Sequence, residues 1–118
     1  MVNKDYTYRI IGAAMEVHRE IGAGQREKPY ENALKIEFQM QGFSVSQQQG
    51  HLIKYKGHNV GDCFTDKQLI IECKAIPKIT DTEIAQMLSY LKITGLKIGL
   101  IINFKPASLE HRRVVWNG

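Results

Sequence analysis

The stretch LIIECKAI, residues 69–76, sets two charged side chains inside the most apolar run of the chain. Side chains alternate across a β-strand, so the odd-numbered residues would form one wholly apolar face, while Glu72 and Lys74 would project together from the other. A charge in such a strand is costly unless it is paired or bound to a metal. The pattern indicates either a structural ion pair or a site that does chemistry.

Asp62 strengthens the second interpretation because it precedes Glu72 by ten residues, across a turn that we predict near residues 66–67. Antiparallel strands would bring the two carboxylates side by side if the register is right. Two adjacent carboxylates repel each other, and a hard divalent cation between them removes the repulsion, with the Cys73 carbonyl as a further oxygen ligand. Lys74, one pleat along, could then orient a water molecule or stabilise a developing negative charge.

These residues need a scaffold, and the sequence pattern predicts α/β architecture. The order α-α-β-β-β-α-β-β indicates a mixed central β-sheet flanked by helices, in one domain over residues 1–118. The third helix has the clearest boundaries, since Thr80 and Glu83 fit a capping box and Gly95 fits a stop. We predict helices over residues 5–21, 29–40 and between 80 and 95, and strands within residues 43–49, 51–57, 62–76, 97–104 and 112–118.

Composition narrows the class of protein. The chain has 118 residues, 43% of them hydrophobic and 24% charged, and a formal net charge of +4, which slightly favours a polyanionic partner. Its two cysteines form no zinc-type pair, and no apolar run approaches the roughly 20 residues that span a bilayer. The start, MVNKDYTYRI, is too polar for a signal peptide. We therefore expect a cytoplasmic protein without a membrane segment.

An Asp, then Glu-x-Lys on the next strand, then a helix and a strand together resemble the PD-(D/E)xK nuclease superfamily. The stretch GQREKPY, residues 24–30, reads Gly-x-x-Glu-x-x-Tyr and, with VHREIGAG before it and YENAL after it, is similar to the GxxExxY protein family. The stretch AQMLSYLKITGLKIGLIINF is also similar to that family. The resemblance covers residues 8–105, and the order and spacing of the motifs are more specific than any one of them.

The resemblance implies a restriction-endonuclease-like core and a Mg²⁺- or Mn²⁺-dependent nuclease that hydrolyses phosphodiester bonds in DNA or RNA. Asp62, Glu72 and Lys74 match the metal and catalytic positions of such enzymes. Glu27 matches an acidic residue that completes the metal shell. One departure is Gly61, where many members have proline, and the short stretch from Gly57 to Asp62 leaves Asp66 as a rival to Asp62.

The third helix adds Gln86 and Tyr90, which match a Gln-x-x-x-Tyr element of related exonuclease-type domains and would bind substrate. Four residues apart, they share a helix face, which turns either to the site or to water. Glu27 could instead interact only with its helix dipole, and Glu31, one turn on, is a rival for its role.

Two other functions remain open from the sequence. The chain could be a non-catalytic nucleic-acid-binding or protein-interaction module that retains the nuclease fold, or Glu72 and Lys74 could form a purely structural ion pair. For a domain of this size we also expect either a homodimer or a partner subunit that supplies specificity.

Overall fold

The computed structural model describes the backbone of residues 4–49, 54–55, 58–59, 62–65 and 69–118, and the side chains of residues 6–47, 65 and 69–118. It contains three helices, α1 (Lys4–Ile21), α2 (Glu27–Gln41) and α3 (Asp81–Thr94). The predicted capping box of α3 is confirmed, and Gly95 ends the helix in the left-handed conformation with φ 77°. Helix α2 begins at Glu27, two residues before the predicted start at Pro29.

The strands form a five-stranded mixed sheet and a separate two-stranded one. In chain order the strands are β1 (Ser46–Gln49), β2 (Lys54–Tyr55), β3 (His58–Asn59), β4 (Asp62–Thr65), β5 (Leu69–Lys74), β6 (Ile98–Asn103) and β7 (Glu110–Val115). Among the described strands of the large sheet, β5 with β6 is the one parallel pair. The large sheet has the order β1-β4-β5-β6-β7, and β2 pairs with β3.

The predicted fold class is confirmed, since a mixed sheet is flanked by helices. The helices and the strands of the large sheet follow the order α-α-β-β-β-α-β-β along the chain. The strand predicted within residues 51–57 differs, because its described residues, Lys54 and Tyr55, belong to the small β2–β3 sheet. None of the helices in the described part of the chain has the length and hydropathy that crossing a lipid bilayer requires.

Helices cover both faces of the β5–β6 pair. On one face, side chains of α1 and α2 such as Ile10 and Leu34 pack with Ile71 and Leu100. On the other, side chains of α3 pack with Ile70 and Ile101. Burying each large aliphatic side chain stabilises the fold by about 1.5–3 kcal/mol. This burial fixes the position of β5 and therefore of the charged residues at its end.

The parallel pair also determines where the polar residues meet. Parallel strands need a long crossover connection, which α3 provides between β5 and β6. The carboxyl ends of both strands therefore lie together, with Lys74 opposite Asn103 in the register. In open α/β sheets ligands bind at this edge.

Candidate active site

The last residues of β5 form an ion pair at the carboxyl end of the strand. Lys74 Nζ lies 2.8 Å from Glu72 Oε1 and donates a hydrogen bond of 3.1 Å to Gln86 Oε1 on α3. Glu72 is only 6% exposed. Strand alternation aims both charged side chains to the face that α3 covers, which is why Gln86 is within reach.

The second carboxylate oxygen of Glu72 has no hydrogen-bond partner, although it is buried. It is the one such side-chain atom among the described residues. Leaving a buried polar atom unpaired costs about 1–3 kcal/mol, and more when it is charged. Burial raises the pKa of Glu72, and the charges of Glu31 and Glu83 act in the same direction, together outweighing Lys74. The carboxylates that act on this site therefore outnumber the single Lys74 ammonium group.

Lys74 is held in its charged form by the same surplus. Burial by itself lowers the pKa of Lys74, but the hydrogen bond and charge of Glu72, with the charges of Glu27 and Glu83, outweigh it and raise the pKa above 10.5. An ammonium group at neutral pH donates hydrogen bonds and accepts none. Lys74 therefore suits the stabilisation of negative charge or the orientation of water, and does not suit the role of general base.

The Gly-x-x-Glu-x-x-Tyr segment places two carboxylates of α2 near this pair. Gly24 takes φ 99°, which a side chain would disfavour. The Tyr30 hydroxyl donates to the Gly22 carbonyl over 2.6 Å and accepts from the Gln25 N–H over 3.2 Å, so it ties down the loop before the helix. Glu27 then begins α2.

Glu31, one turn further along α2, is 5% exposed. Burial and the charge and hydrogen bonding of Glu27 raise the pKa of Glu31 to about 7, against an opposing effect of Lys28, whose Nζ lies 3.4 Å from Glu31 Oε2. Because Glu31 also acts on the pKa of Glu72, and Glu27 on that of Lys74, the α2 carboxylates and the β5 pair share one electrostatic site.

Asp62 begins β4, where its Cα partner is Gln49 of β1. The described pairing of β4 with β5 comprises Phe64 with Ile71 and the neighbouring pair nearer the turn. The side chain of Asp62 lies outside the described residues, so its position beside Glu72 stays a prediction. Asp66, the rival to Asp62, also lies outside them.

The two predicted residues of α3 have different surroundings. Gln86 reaches Lys74, whereas Tyr90 is 5% exposed and packs in the apolar cluster of Ile70 and Leu91. A role for either in binding substrate stays a prediction.

The spacing of Ile84, Leu88 and Leu91 predicts one buried stripe on α3, and the structure shows a different one. Met87, Tyr90 and Leu91 are the buried residues of the helix. In β6, a β-carbon on Gly99 would overlap the Met87 side chain. The absence of a side chain at Gly99 therefore leaves room for Met87 against the sheet.

Sequence reasoning did not single out Asn103 and Glu110, which lie beside the site. The Asn103 amide contacts Ile76, two residues after Lys74, and also the Glu110 carboxylate. An asparagine at the end of the buried strand GLIINF was the available signal, since buried polar side chains need partners.

A metal site can be tested only against the chemistry of the donors. Among the described side chains, no three His, Cys, Asp or Glu residues converge closely enough to hold an ion. The unpartnered Glu72 oxygen is nevertheless a hard oxygen donor, and the carboxylates of Glu27 and Glu31 act on the same electrostatic site. By the chemistry of its donors, the site fits a divalent cation.

Comparison with known families agrees with this fold. A family model for the PD-(D/E)XK nuclease superfamily matches residues 4–114, nearly the whole chain. The protein belongs to this superfamily, and the membership supports a nuclease-like function in general. Neither the curated proteins nor the solved structures include a match to the chain.

Proposed function

We propose that the protein is a divalent-metal-dependent nuclease that hydrolyses phosphodiester bonds in DNA or RNA. One observation carries the proposal: Glu72 is buried with Oε2 unpartnered, while its Oε1 lies 2.8 Å from the Lys74 ammonium. A structural ion pair gains from satisfying both carboxylate oxygens. An oxygen kept free beside a cationic donor suits a site that receives a metal and a phosphate.

Asp62, Glu72 and Glu27 would hold the Mg²⁺ or Mn²⁺ ion. Such an ion, when bound, neutralises charge on the phosphate and lowers the pKa of water. Lys74 donates a hydrogen bond that orients the attacking water or stabilises charge on the phosphate, and Gln86 holds the Lys74 side chain. The water oxygen attacks phosphorus in line, the bond to the leaving oxygen breaks, and a proton from the water is released as the leaving oxygen takes one up.

The narrower assignment to the GxxExxY family is part of the same proposal. Gly24 and Tyr30 both serve the loop before α2, the first through its backbone conformation and the second through its hydroxyl. Between them Glu27 starts the helix that faces β5. These contacts explain the motif physically, because they position Glu27, at the start of α2, near the strand that carries Glu72 and Lys74.

Nucleic acid is the proposed substrate, on the combined grounds of a phosphodiester site and the net charge of +4. Scattered basic residues would make about two to four phosphate contacts, each lowering log affinity by about 0.9 per log unit of salt on duplex DNA. So few phosphate contacts give weak binding, and we therefore expect a homodimer or a partner subunit that adds further contacts. The free thiol of Cys73 agrees with a reducing, cytoplasmic place of action.

The test is a cleavage panel with single- and double-stranded DNA and RNA, in Mg²⁺, Mn²⁺ and EDTA. We expect metal-dependent cleavage by the wild type and none by the double variant Asp62→Asn with Glu72→Gln. Glu20→Gln, on the exposed surface of α1, is the matched control and should cleave normally.

Cleavage that persists in EDTA would refute the metal dependence. No cleavage of any substrate, combined with salt-dependent binding in Ca²⁺, would replace the nuclease with a non-catalytic nucleic-acid-binding module. A protein that binds no nucleic acid at low salt would instead be a protein-interaction module.

A further inference from the structure

We propose that Asn103 and Glu110 are positioning residues that hold the Lys74 ammonium in its working place. The inference rests on the proposed nuclease function and adds two residues outside the predicted site. Neither residue touches the Glu72–Lys74 pair through a described hydrogen bond. Both act on the segment of residues 75–80, which joins the end of β5 to the start of α3 and so links Lys74 to Gln86.

The Asn103 side chain substitutes for the strand pairing that β5 lacks after Lys74. The last backbone bond there runs from the Phe104 N–H to the Lys74 carbonyl, 2.9 Å. Beyond it, Asn103 Oδ1 accepts from the Ile76 N–H over 3.0 Å, and Asn103 Nδ2 donates to the Ile76 carbonyl over 2.8 Å. This two-bond pairing fixes the chain two residues past Lys74.

Glu110 extends this pairing to the start of α3. Its Oε1 accepts from Asn103 Nδ2 over 2.9 Å and from the Ile79 N–H over 3.0 Å. Ile79 comes immediately before Thr80, the N-cap of α3. We call these two side chains, Asn103 and Glu110, the clamp, because they hold both ends of the segment that separates Lys74 from Gln86.

The register places the clamp in line with the site. Lys74 lies opposite Asn103, and Asn103 lies opposite Glu110, so the three residues form one row across β5, β6 and β7. Asn103 is fully buried, and burying an amide there is favourable only when its bonding capacity is met. An apolar side chain there would leave the Ile76 N–H and carbonyl without these partners, so the clamp contributes to stability, and its effect on Lys74 has to be read from the rate per folded molecule.

The clamp should therefore matter for rate as well as for stability. Releasing Ile76 and Ile79 would let the β5 end and α3 shift relative to each other, and the 3.1 Å contact between Lys74 and Gln86 would loosen. Displacing a catalytic group by about 1 Å can cost about a hundredfold in rate. The expected loss falls on the rate of the chemical step and spares nucleic-acid affinity.

Three variants test this inference. Asn103→Asp keeps the shape but cannot donate to the Ile76 carbonyl and places a carboxylate beside Glu110. Glu110→Gln keeps an acceptor for both bonds, so it should be the milder change. In the double variant, Asn103→Asp with Glu110→Gln, the new amide on β7 can donate to the new carboxylate on β6 and so restores the bond between the strands. The amide nitrogen then stands where Glu110 Oε1 accepted from the Ile79 N–H, so that second bond is not restored.

We expect Asn103→Asp to lower kcat by about tenfold to a hundredfold per folded molecule with KM changed little. The double variant should recover the part of that loss that comes from the broken bond between β6 and β7. Asn117→Asp and Glu20→Gln, at exposed positions, are the matched controls and should behave as the wild type. If Asn103→Asp does not fold, Glu110→Ala decides instead, because it removes the acceptor of both bonds and should lower kcat with KM changed little.

A nuclear magnetic resonance readout separates failure of this inference from failure of the proposed function. The Lys74 Cε–Hε cross-peak should move in Asn103→Asp and return towards its wild-type position in the double variant. If the wild type cleaves nothing, the nuclease proposal fails, and the cross-peak alone decides whether the clamp positions Lys74. An unmoved cross-peak, or full activity per folded molecule in Asn103→Asp, would overturn the inference.

Discussion

Glu72 and Glu83 are carboxylates on consecutive elements, β5 and α3, and their surroundings shift their pKa values in opposite directions. Glu83 lies in the first turn of α3, where its Oε1 accepts from the Thr80 N–H and the Thr80 hydroxyl, each over 2.7 Å. Its backbone and side-chain hydrogen bonds with Thr80 lower the pKa of Glu83. Glu72 is buried in β5, its pKa is raised, and one of its oxygens has no partner.

The comparison distinguishes a structural carboxylate, Glu83, from one that is available to bind a ligand, Glu72. Glu83 obtains its partners from residues three positions away and gains stability from them. Glu72 depends on Lys74 and faces further carboxylates, an arrangement that costs stability unless a cation arrives. Four predictions test this contrast.

The largest effect should come from Lys74→Ala. If Lys74 stabilises charge during catalysis, its loss should lower kcat per folded molecule by about a hundredfold or more. Leaving the buried Glu72 carboxylate without its cation also costs stability, so rate and stability are measured separately. Cleavage rates per folded molecule, with thermal unfolding in parallel, provide the measurement, and Lys92→Ala on the exposed face of α3 is the control. A variant that unfolds readily but keeps its specific activity would make the Glu72–Lys74 pair structural, like Glu83 with Thr80.

Metal should stabilise the folded protein through Glu72 and not through Glu83. At a metal concentration of about 100 times Kd, binding to the native state adds about 2.7 kcal/mol to the free energy of unfolding. Mg²⁺ or Mn²⁺ should therefore raise the Tm of the wild type and of Glu83→Gln, and should leave the Tm of Asp62→Asn with Glu72→Gln unchanged. Equal metal responses in all three proteins would exclude the site.

Glu31→Gln should stabilise the metal-free protein in a pH-dependent way. The pKa of Glu31 is about 7 in the folded protein against an ordinary 4.5, so the folded state holds its proton longer and loses stability as pH rises between these values. Glutamine carries no such penalty, so the gain in free energy of unfolding of Glu31→Gln over the wild type should grow from pH 4.5 to 7 and then level off. The free energy of unfolding of both proteins, measured in EDTA across this pH range, checks the prediction. A gain that does not change with pH would contradict it.

The smallest effect should come from Thr80→Ala, which removes the cap of α3. Loss of an N-cap side chain costs about 1 kcal/mol, and Thr80→Ser should restore most of it. Denaturant unfolding measures both variants. A loss of cleavage at unchanged stability would contradict the structural role that we give to the Thr80 cap.

Much of the scaffold could be predicted because its signals are local. The capping box at Thr80, the stop at Gly95 and the apolar strand that ends in Lys74 follow from short-range patterns and match the structure. Two features were harder to predict from the sequence, namely the start of α2 at Glu27 and the buried face of α3. The first depends on a loop that Tyr30 ties down from within the helix, and the second depends on Gly99 of a strand that follows α3 in the chain.

The sequence by itself determined that Glu72 and Lys74 project from the same side of a buried strand, because strand alternation needs only the neighbouring residues. It also determined where α3 begins and ends. Tertiary structure alone decided that Gln86 meets Lys74, that the α2 carboxylates act on the same site, and that Asn103 and Glu110 hold the segment after β5. The physical reason is that these contacts join residues far apart in the chain, and long-range packing of helices and strands sets them.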